Sequence, residues 1–446
     1  MKSLTNWLAT SGFLTMGRLV GAGAGFFTQI LLARILSPRE LGLFFACTSF
    51  AVVASILSTG GYPGVMQRFV TRYRERQKRA LASAFIRYTQ LTTVKTTALI
   101  AVILFVVSTV WVTTLDTRIA IIASVFSMIA MASLNIHIAI AVVERRFSLA
   151  ILPDNLFRPI LFLGVVVTIA LTGTFLSAGG VAVIYAGLTG LVALVQFMLL
   201  APGLAKPSAD FGNRRLKNRW RREAAPLIVV ALFTNLFADI AIFLATPFLA
   251  LEDVAAFGIC VKISMLVGFV VQVSQQLALP DLAIAKERGD EALSSQALVR
   301  ASLFPSIVTL GATLLALAWG DILLGLFSPA FVSEKWSLVI MAGAQCIRAV
   351  AGPNALMLTL TGAHRMNSIV CLACSALLLL SNAVLIPTYG LEGAALSMAI
   401  SYVAWVAATT VVLWRQGRVR SDLFVLAYSF KRPEVMSTTA PRKLGP

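Results

Sequence analysis

Twelve apolar stretches dominate the sequence, and most approach the roughly twenty residues that an α-helix needs to cross a bilayer. They cover residues 11–36, 40–62, 97–112, 118–142, 149–171, 180–200, 225–249, 254–279, 301–317, 337–360, 367–386 and 391–414. Charged residues make up 13% of the chain, whereas soluble proteins contain about a quarter. The sequence therefore predicts an all-α polytopic membrane protein with twelve transmembrane helices.

The most basic stretch, residues 206–222, lies near the middle of the chain and contains seven cations and one acid. In a soluble protein such a stretch would suggest a nucleic-acid partner. Between apolar spans it predicts a cytoplasmic loop, because short loops rich in Lys and Arg stay on the inner side of the membrane. Of the 37 Lys and Arg residues, 27 fall on this predicted side and three on the other. Both termini are therefore predicted to be cytoplasmic, and no nucleic-acid partner is expected.

This basic loop also divides the chain into two halves with six predicted spans each. Because six is even, both halves enter the membrane from the same side, which is typical of a parallel repeat around an axis along the membrane normal. The predicted domains are a first six-helix lobe (1–202), a basic linker (203–224), a second six-helix lobe (225–414) and a cytoplasmic tail (415–446). Two such lobes around a central cavity are typical of an alternating-access transporter.

Seven cations lie inside the predicted spans or at their edges, and Asp239 is the one acid that we place well inside a span. A charge in the bilayer centre costs about 2.5–3.5 kcal/mol on insertion scales, so such residues usually face a wet cavity or a partner. Arg34, near the outer end of the first span, is expected to reach the lipid headgroups. Arg87 and Lys95 precede the apolar run of the third span, so each could lie at the inner interface or face the cavity. The others are the candidate ligands of an anionic headgroup: Arg18, Arg158, Lys262 and Arg348.

Asp239 and Lys262 lie at similar depths on the seventh and eighth predicted spans. They could form a structural ion pair, or Asp239 could carry a coupling ion such as H⁺ or Na⁺. Both interpretations stay open at this point. Without this pair, the remaining intramembrane charges are positive, which favours an anionic substrate, and arginine offers bidentate hydrogen bonds to phosphate oxygens. We therefore expect a phosphate or pyrophosphate group on the substrate.

The sequence offers little for catalysis or metal binding. Cys371 and Cys374 form a CxxC inside an apolar span, without the second pair of ligands that a metal site needs. His137 and His364 are the only histidines. A membrane-embedded glycosyltransferase would need catalytic residues in a sizeable outer loop, and the largest predicted one covers only residues 320–335. We therefore expect a transporter rather than an enzyme, with no catalytic residues, metal or cofactor.

Four motifs together resemble one family. ARILSPRELG at 33–42, EDVAAFG at 252–258, the Leu279–Pro280 pair at the end of the eighth span and YGLEGAA at 389–395 are similar to motifs of polysaccharide flippases. These flippases belong to the multidrug/oligosaccharidyl-lipid/polysaccharide (MOP) exporter superfamily. The resemblance extends over essentially the whole chain and implies twelve spans in two lobes.

The resemblance also implies a function. Flippases of this kind move an undecaprenyl-pyrophosphate-linked oligosaccharide from the inner to the outer leaflet of the bacterial cytoplasmic membrane, and a polysaccharide polymerase and a chain-length regulator are candidate partners. In similar lipid II flippases, cations on the first, second and eighth spans line the cavity. Arg18 and Lys262 match the first and eighth in span and approximate depth. The second has no counterpart, because Arg68 lies beyond the inner end of its span. The alternative is a cation-coupled small-molecule exporter of the same superfamily.

Overall fold

The computed structural model describes residues 2–111, 114–200, 214–288, 291–360 and 364–417. Every regular element in these ranges is helical. The first half contains α1 (Lys2–Ile35), α2 (Pro38–Ser58), α3 (Tyr62–Glu75), α4 (Arg79–Trp111), α5 (Leu115–Val143), α6 (Phe147–Leu152), a π turn (Pro153–Phe157), α7 (Arg158–Thr172) and α8 (Ala178–Leu200). The second half contains α9 (Arg214–Asn235), α10 (Phe237–Ala245), α11 (Leu251–Arg288), α12 (Glu291–Gly325), a 3₁₀ turn (Pro329–Glu334), α13 (Lys335–Ala351), α14 (Asn354–Leu360) and α15 (His364–Gly417).

These helices form the twelve predicted membrane crossings. Within the described residues, nine helical segments are long and apolar enough to cross a bilayer, and the bent pair α9 and α10 makes a tenth crossing. One of the nine segments, α15, is two crossings merged across a break. The remaining crossing is α13, which is followed by the short helix α14. The prediction of an all-α fold with six spans in each half is confirmed.

The break in α15 is a tight reversal at Gly390. This residue has φ 57° and ψ −132°, a conformation that glycine adopts without the steric cost of a Cβ atom. A Cβ atom on Gly393 would overlap the carbonyl oxygen of Leu385, although eight residues of straight helix would separate the two by about 12 Å. The chain therefore turns back on itself here, which places the eleventh and twelfth spans side by side.

The basic segment after the second span differs from its prediction. Residues 67–79, rich in arginine, lie between the second and third predicted spans and are expected from the sequence to form a cytoplasmic loop. Most of this segment is instead helical, because α3 runs from Tyr62 to Glu75. Its apolar side chains, including Phe69 and Tyr73, are buried while the arginines stay exposed. The first turns of α9 pack on this helix, where Trp220 Nε1 donates a 2.9 Å hydrogen bond to the Tyr73 hydroxyl. We call this side of the bundle, with α3 and the start of α9, the basic end. Residues 203–213 of the predicted linker and 418–446 of the predicted tail lie outside the described residues.

The two halves meet closely at the opposite end of the bundle, which we call the far end. A Cβ atom on Gly42 of α2 would overlap the carbonyl oxygen of Leu251 at the start of α11. Arg34 at the end of α1 donates from Nε to the carbonyl oxygen of Leu326, 3.0 Å away. Both contacts join one half to the other. The halves are therefore in direct backbone and side-chain contact at the far end.

Glycines on α1 allow a close approach to the fifth crossing. A Cβ atom on Gly21 would overlap the carbonyl oxygen of Asn155, whereas one on Gly25 would meet nothing within 4 Å. We expect Gly21→Ala to lower the free energy of unfolding by about 1–3 kcal/mol, because overpacking forces the backbones apart. Gly25→Ala is the matched control, and thermal unfolding of the purified variants in detergent is the measurement. Equal losses of stability in the two variants would contradict this packing role.

Candidate functional site

The candidate charges lie around two cavities, each with a volume of about 230 Å³. The interlobe cavity lies between α1, α2, α7 and α8 of the first half and α10 and α11 of the second. Arg158, Asp239 and Lys262 line it. The second-half cavity lies among α9, α11, α13, α14 and α15, and Arg348 lines it. The predicted site residues thus fall into two groups.

Arg158 in the interlobe cavity has an acidic partner that we did not predict. Its Nε lies 2.9 Å from Asp154 Oδ1, one helical turn earlier. Its Nη1 donates a hydrogen bond to the Tyr185 hydroxyl, and the guanidinium lies 5.6 Å from the centre of that ring. The π turn Pro153–Phe157 directly precedes Arg158 and carries Asp154, and such turns occur often at functional sites. The guanidinium is therefore held in place by a carboxylate and an aromatic ring.

Asp154 corrects our expectation that Asp239 is the one acid well inside a span. It lies in the fifth crossing, between α6 and α7. The signal was present in the sequence, because Asp154 and Arg158 are four residues apart and so occupy one face of a helix. The predicted span 149–171 already contains Asp154, five residues from its start, but only Asp239 was counted as lying well inside a span.

Asp239 and Lys262 meet across the interface of α10 and α11. Lys262 Nζ lies 3.2 Å from Asp239 Oδ1. The Asp239 side chain is 13% exposed and the Lys262 side chain 28%. The pair is therefore largely buried but in contact with the cavity. Each charge is therefore compensated by the other, and the cavity wall combines two ion pairs with the Tyr185 hydroxyl.

The second-half cavity has a different character. Arg348 Nη1 lies 3.5 Å from Gln345 Oε1, at the limit of a hydrogen bond, and the guanidinium lies 6.0 Å from the centre of the Tyr402 ring. Most of the remaining polar lining residues are amides, and Thr234 and Trp405 add a hydroxyl and an indole; the amides are Gln272, Gln275, Gln276 and Asn367. Among the described residues, no carboxylate lines this cavity. Arg348 is therefore a cation whose charge no nearby acid neutralises.

Arg18 of the first half reaches the same region. Its Nη1 donates a 3.0 Å hydrogen bond to Oε1 of Gln276, which lines the second-half cavity. Its Nε is buried without a hydrogen-bond partner among the described residues. The structure thus associates Arg18 with Arg348, and Arg158 with Asp239 and Lys262. Lys262 and Gln275 are thirteen residues apart on α11, so the two groups are separated by about 20 Å along that helix.

The neutral polar residues of both cavities were not predicted from the sequence. Glutamine and asparagine side chains such as Gln276 and Asn367 can donate and accept hydrogen bonds, as sugar hydroxyls require. These amides carry no charge, so they were not among the candidates chosen for a charge inside a span. In the part of the chain that the structure describes, no group of three or more His, Cys, Asp or Glu side chains is arranged to hold a metal ion.

Residues 7–280 match the polysaccharide biosynthesis protein family, and this match covers more than half of the chain. The chain belongs to that family. The matched part of the chain includes four of the predicted site residues: Arg18, Arg158, Asp239 and Lys262. Arg348 lies beyond it. The family match therefore includes the whole interlobe cavity and one of the two cations near the second-half cavity.

Solved structures place this polysaccharide biosynthesis family member in the fold of the MOP superfamily. The lipid II flippase MurJ in an inward closed conformation superposes with a TM-score of 0.71 at 11% identity, over 90% of this chain and 87% of that one. An inward-facing multidrug resistance MATE family transporter gives 0.68 at 14% identity, over 90% and 99%. An outward-facing MATE family transporter gives 0.59 at 14% identity, over 94% and 95%. Compared by sequence with curated proteins, the chain has no match.

These similarities concern the fold. They confirm, at the level of family and fold, the resemblance to MOP exporters that the sequence motifs indicate. The score is higher for the inward-facing MATE structure than for the outward-facing one. This difference agrees with the contacts of Gly42 and Arg34, which hold the two halves together at the far end.

Proposed function

We propose that this protein is a flippase that moves an undecaprenyl-pyrophosphate-linked oligosaccharide across the bacterial cytoplasmic membrane for surface polysaccharide biosynthesis. The observation that carries the proposal is the charge balance of the two cavities. Four cations lie in or beside them, and both of the acids found there, Asp154 and Asp239, are paired with Arg158 and Lys262. The unpaired charges are positive, which favours an anionic headgroup.

Arg18 and Arg348 are the proposed first contacts of the pyrophosphate. Both are arginines, whose planar guanidinium can donate two parallel hydrogen bonds to phosphate oxygens. The amides around Arg348 supply donors and acceptors for the sugar next to the pyrophosphate. A headgroup bound here would lie nearer the basic end of the bundle than one bound beside Arg158 and Lys262.

The proposed path runs from the second-half cavity to the interlobe cavity. The two lie about 20 Å apart along α11, a large part of the roughly 30 Å hydrocarbon core. The positive-inside rule assigns the basic end to the cytoplasm, so both termini would be cytoplasmic. In the state described, the halves are in contact at the far end. Alternating access would then require the contacts of Gly42 and Arg34 to separate.

The second candidate is a cation-coupled small-molecule exporter. Asp239 favours it, because this carboxylate lines the interlobe cavity and could bind H⁺ or Na⁺. Its pairing with Lys262 argues against a cationic drug, since the ammonium already satisfies the carboxylate. The same pair is compatible with an anion transporter that uses a coupling ion. We therefore rank the exporter second, and a membrane-embedded glycosyltransferase third.

The proposal can be tested in proteoliposomes that contain the purified protein and a labelled undecaprenyl-pyrophosphate oligosaccharide. We expect protein-dependent movement of the sugar between leaflets, measured by its accessibility to an added glycosidase. Excess undecaprenyl pyrophosphate should compete, and a lipophilic cation dye should not. Export of the dye without movement of the oligosaccharide would support the second candidate and contradict the first. Whether a polymerase and a chain-length regulator act with the protein can be tested by co-purification from cells.

A further inference from the structure

A large groove lies on the first half, apart from both cavities described above. It has a volume of about 950 Å³ and lies between α4, α5 and α8. Its walls are mostly apolar, and large side chains such as Phe126, Leu194 and Phe197 are exposed along it. None of its lining residues lines the interlobe or the second-half cavity. We call it the lateral groove.

The lateral groove continues into a basic pocket at the basic end of the bundle. This pocket has a volume of about 720 Å³ and shares Gln90 and Val94 with the groove. Arg79 and Arg87 line the pocket and are exposed, and neither forms an ion pair with another described residue. A third arginine, Arg74, is paired with Glu144. An apolar groove thus ends in two uncompensated positive charges.

The groove wall also contains two polar atoms that have no hydrogen-bond partner among the described residues. His137 is 9% exposed and lines the groove next to Phe197, with 5.5 Å between the ring centres. Its Nδ1 and the hydroxyl of Thr93 are buried and have no hydrogen-bond partner among the described residues. Buried polar atoms in folded proteins are nearly always hydrogen-bonded. The groove wall below the basic pocket therefore contains two polar atoms that no described residue satisfies.

We propose that the lateral groove and its basic pocket bind one anionic phospholipid from the leaflet at the basic end. Its phosphate would lie between Arg79 and Arg87, and its acyl chains would fill the groove. The glycerol ester oxygens would lie near Gln90, Thr93 and His137. Charge complementarity supports this occupant, because each basic side chain near a membrane surface attracts anionic lipid. A free phosphate ion would not account for the long apolar part of the site.

A phospholipid fits this site better than the proposed oligosaccharide carrier does. The carrier has a single pyrophosphate, and the cavities proposed to hold it share no lining residue with the groove. Its headgroup cannot occupy both places at once. The phospholipid site is therefore independent of the transported substrate and would exist whichever candidate function is correct.

Two pairs of variants test the head and the tail of this lipid site. Arg79→Gln with Arg87→Gln removes the two unpaired charges of the basic pocket. Arg72→Gln with Arg76→Gln removes two exposed charges at the C-terminal end of α3 that do not line the pocket. Gly190→Phe fills the groove, because a Cβ atom there would meet nothing within 4 Å, and Gly311→Phe adds the same ring at an equally open glycine of α12. Gly187→Leu is a smaller addition to the same wall if Gly190→Phe does not purify.

The measurement is native mass spectrometry of the purified protein titrated with phosphatidylglycerol or phosphatidylcholine. We expect the native protein to bind one phosphatidylglycerol in preference to phosphatidylcholine. Loss of the two pocket arginines should weaken this binding by about fivefold for each charge removed. Gly190→Phe should weaken it as well, and both control variants should bind as the native protein does.

Three results would overturn the proposal. Equal weakening in the Arg72 and Arg76 variant would show that net charge alone attracts the lipid. Unchanged binding in the groove-filling variants would show that no acyl chain occupies the groove. The third result is a co-purified molecule with the mass of a polyprenyl phosphate that is absent from Gly190→Phe and that added phosphatidylglycerol does not displace. It would show that the groove holds the carrier lipid instead.

Discussion

Replacing Arg348 with alanine is expected to reduce transport of the lipid-linked oligosaccharide by about ten- to a hundredfold. Hydrogen bonds to charged groups contribute about 1.5–3 kcal/mol each, and Arg348 is the one cation that lines the second-half cavity among the described residues. Its nearby groups are the Gln345 amide and the Tyr402 ring, so its removal leaves no buried carboxylate without a partner. The fold should therefore survive the change, and the loss should appear in substrate binding.

The assay is export of surface polysaccharide in a strain that depends on this protein, with the protein level measured in the membrane. Arg348→Lys keeps the charge but loses the bidentate geometry, so we expect an intermediate loss. Arg39→Ala is the matched control, because Arg39 is exposed in the first turn of α2 and lies in neither cavity. Unchanged export in Arg348→Ala at a normal protein level would remove Arg348 from the mechanism.

The course of the chain through the membrane could be predicted from the sequence because a bilayer imposes length and polarity on every span. The turn after the first span is one example of a span boundary that is encoded locally in the sequence. Ser37 accepts a hydrogen bond from the backbone of Glu40, and the Glu40 carboxylate accepts one from the backbone of Ser37, which together start α2. That capping box is encoded in four consecutive residues. The helical form of α3 was missed because its stripe of apolar side chains is short and interrupted by arginines.

The candidate site was predictable only in part. Arg158 and Lys262 stood out because a charge inside an apolar span is costly. Which charges share a cavity depends on how distant helices pack, and the pattern of apolar spans along the chain does not indicate that packing. The association of Arg18 with Gln276 joins residues 258 positions apart. The lateral groove could not be predicted for the same reason, because it lies between α4, α5 and α8, whose packing depends on distant parts of the chain.

The ion pair of Asp239 and Lys262 has two interpretations that make different predictions. If the pair is structural, replacing either residue alone destabilises the fold, and replacing both restores most of the stability. If Asp239 binds a coupling ion, its carboxylate is required whether or not Lys262 is present. The geometry favours the structural role, because the 3.2 Å contact and the low exposure of both side chains leave the carboxylate already compensated.

We therefore expect Asp239→Asn to lower the free energy of unfolding by about 3 kcal/mol, since removing one partner leaves a buried charge unpaired. Adding Lys262→Gln to the same chain should restore most of that stability, because contacting residues are strongly non-additive. Thermal unfolding in detergent measures this, and transport in proteoliposomes with and without an ion gradient gives the second readout. We expect transport by the double variant to stay low, because Lys262 also lines the interlobe cavity. Any effect of the ion gradient on transport should be unchanged, because a structural Asp239 does not bind the coupling ion. Normal stability of Asp239→Asn together with loss of the gradient response would instead establish Asp239 as the coupling site.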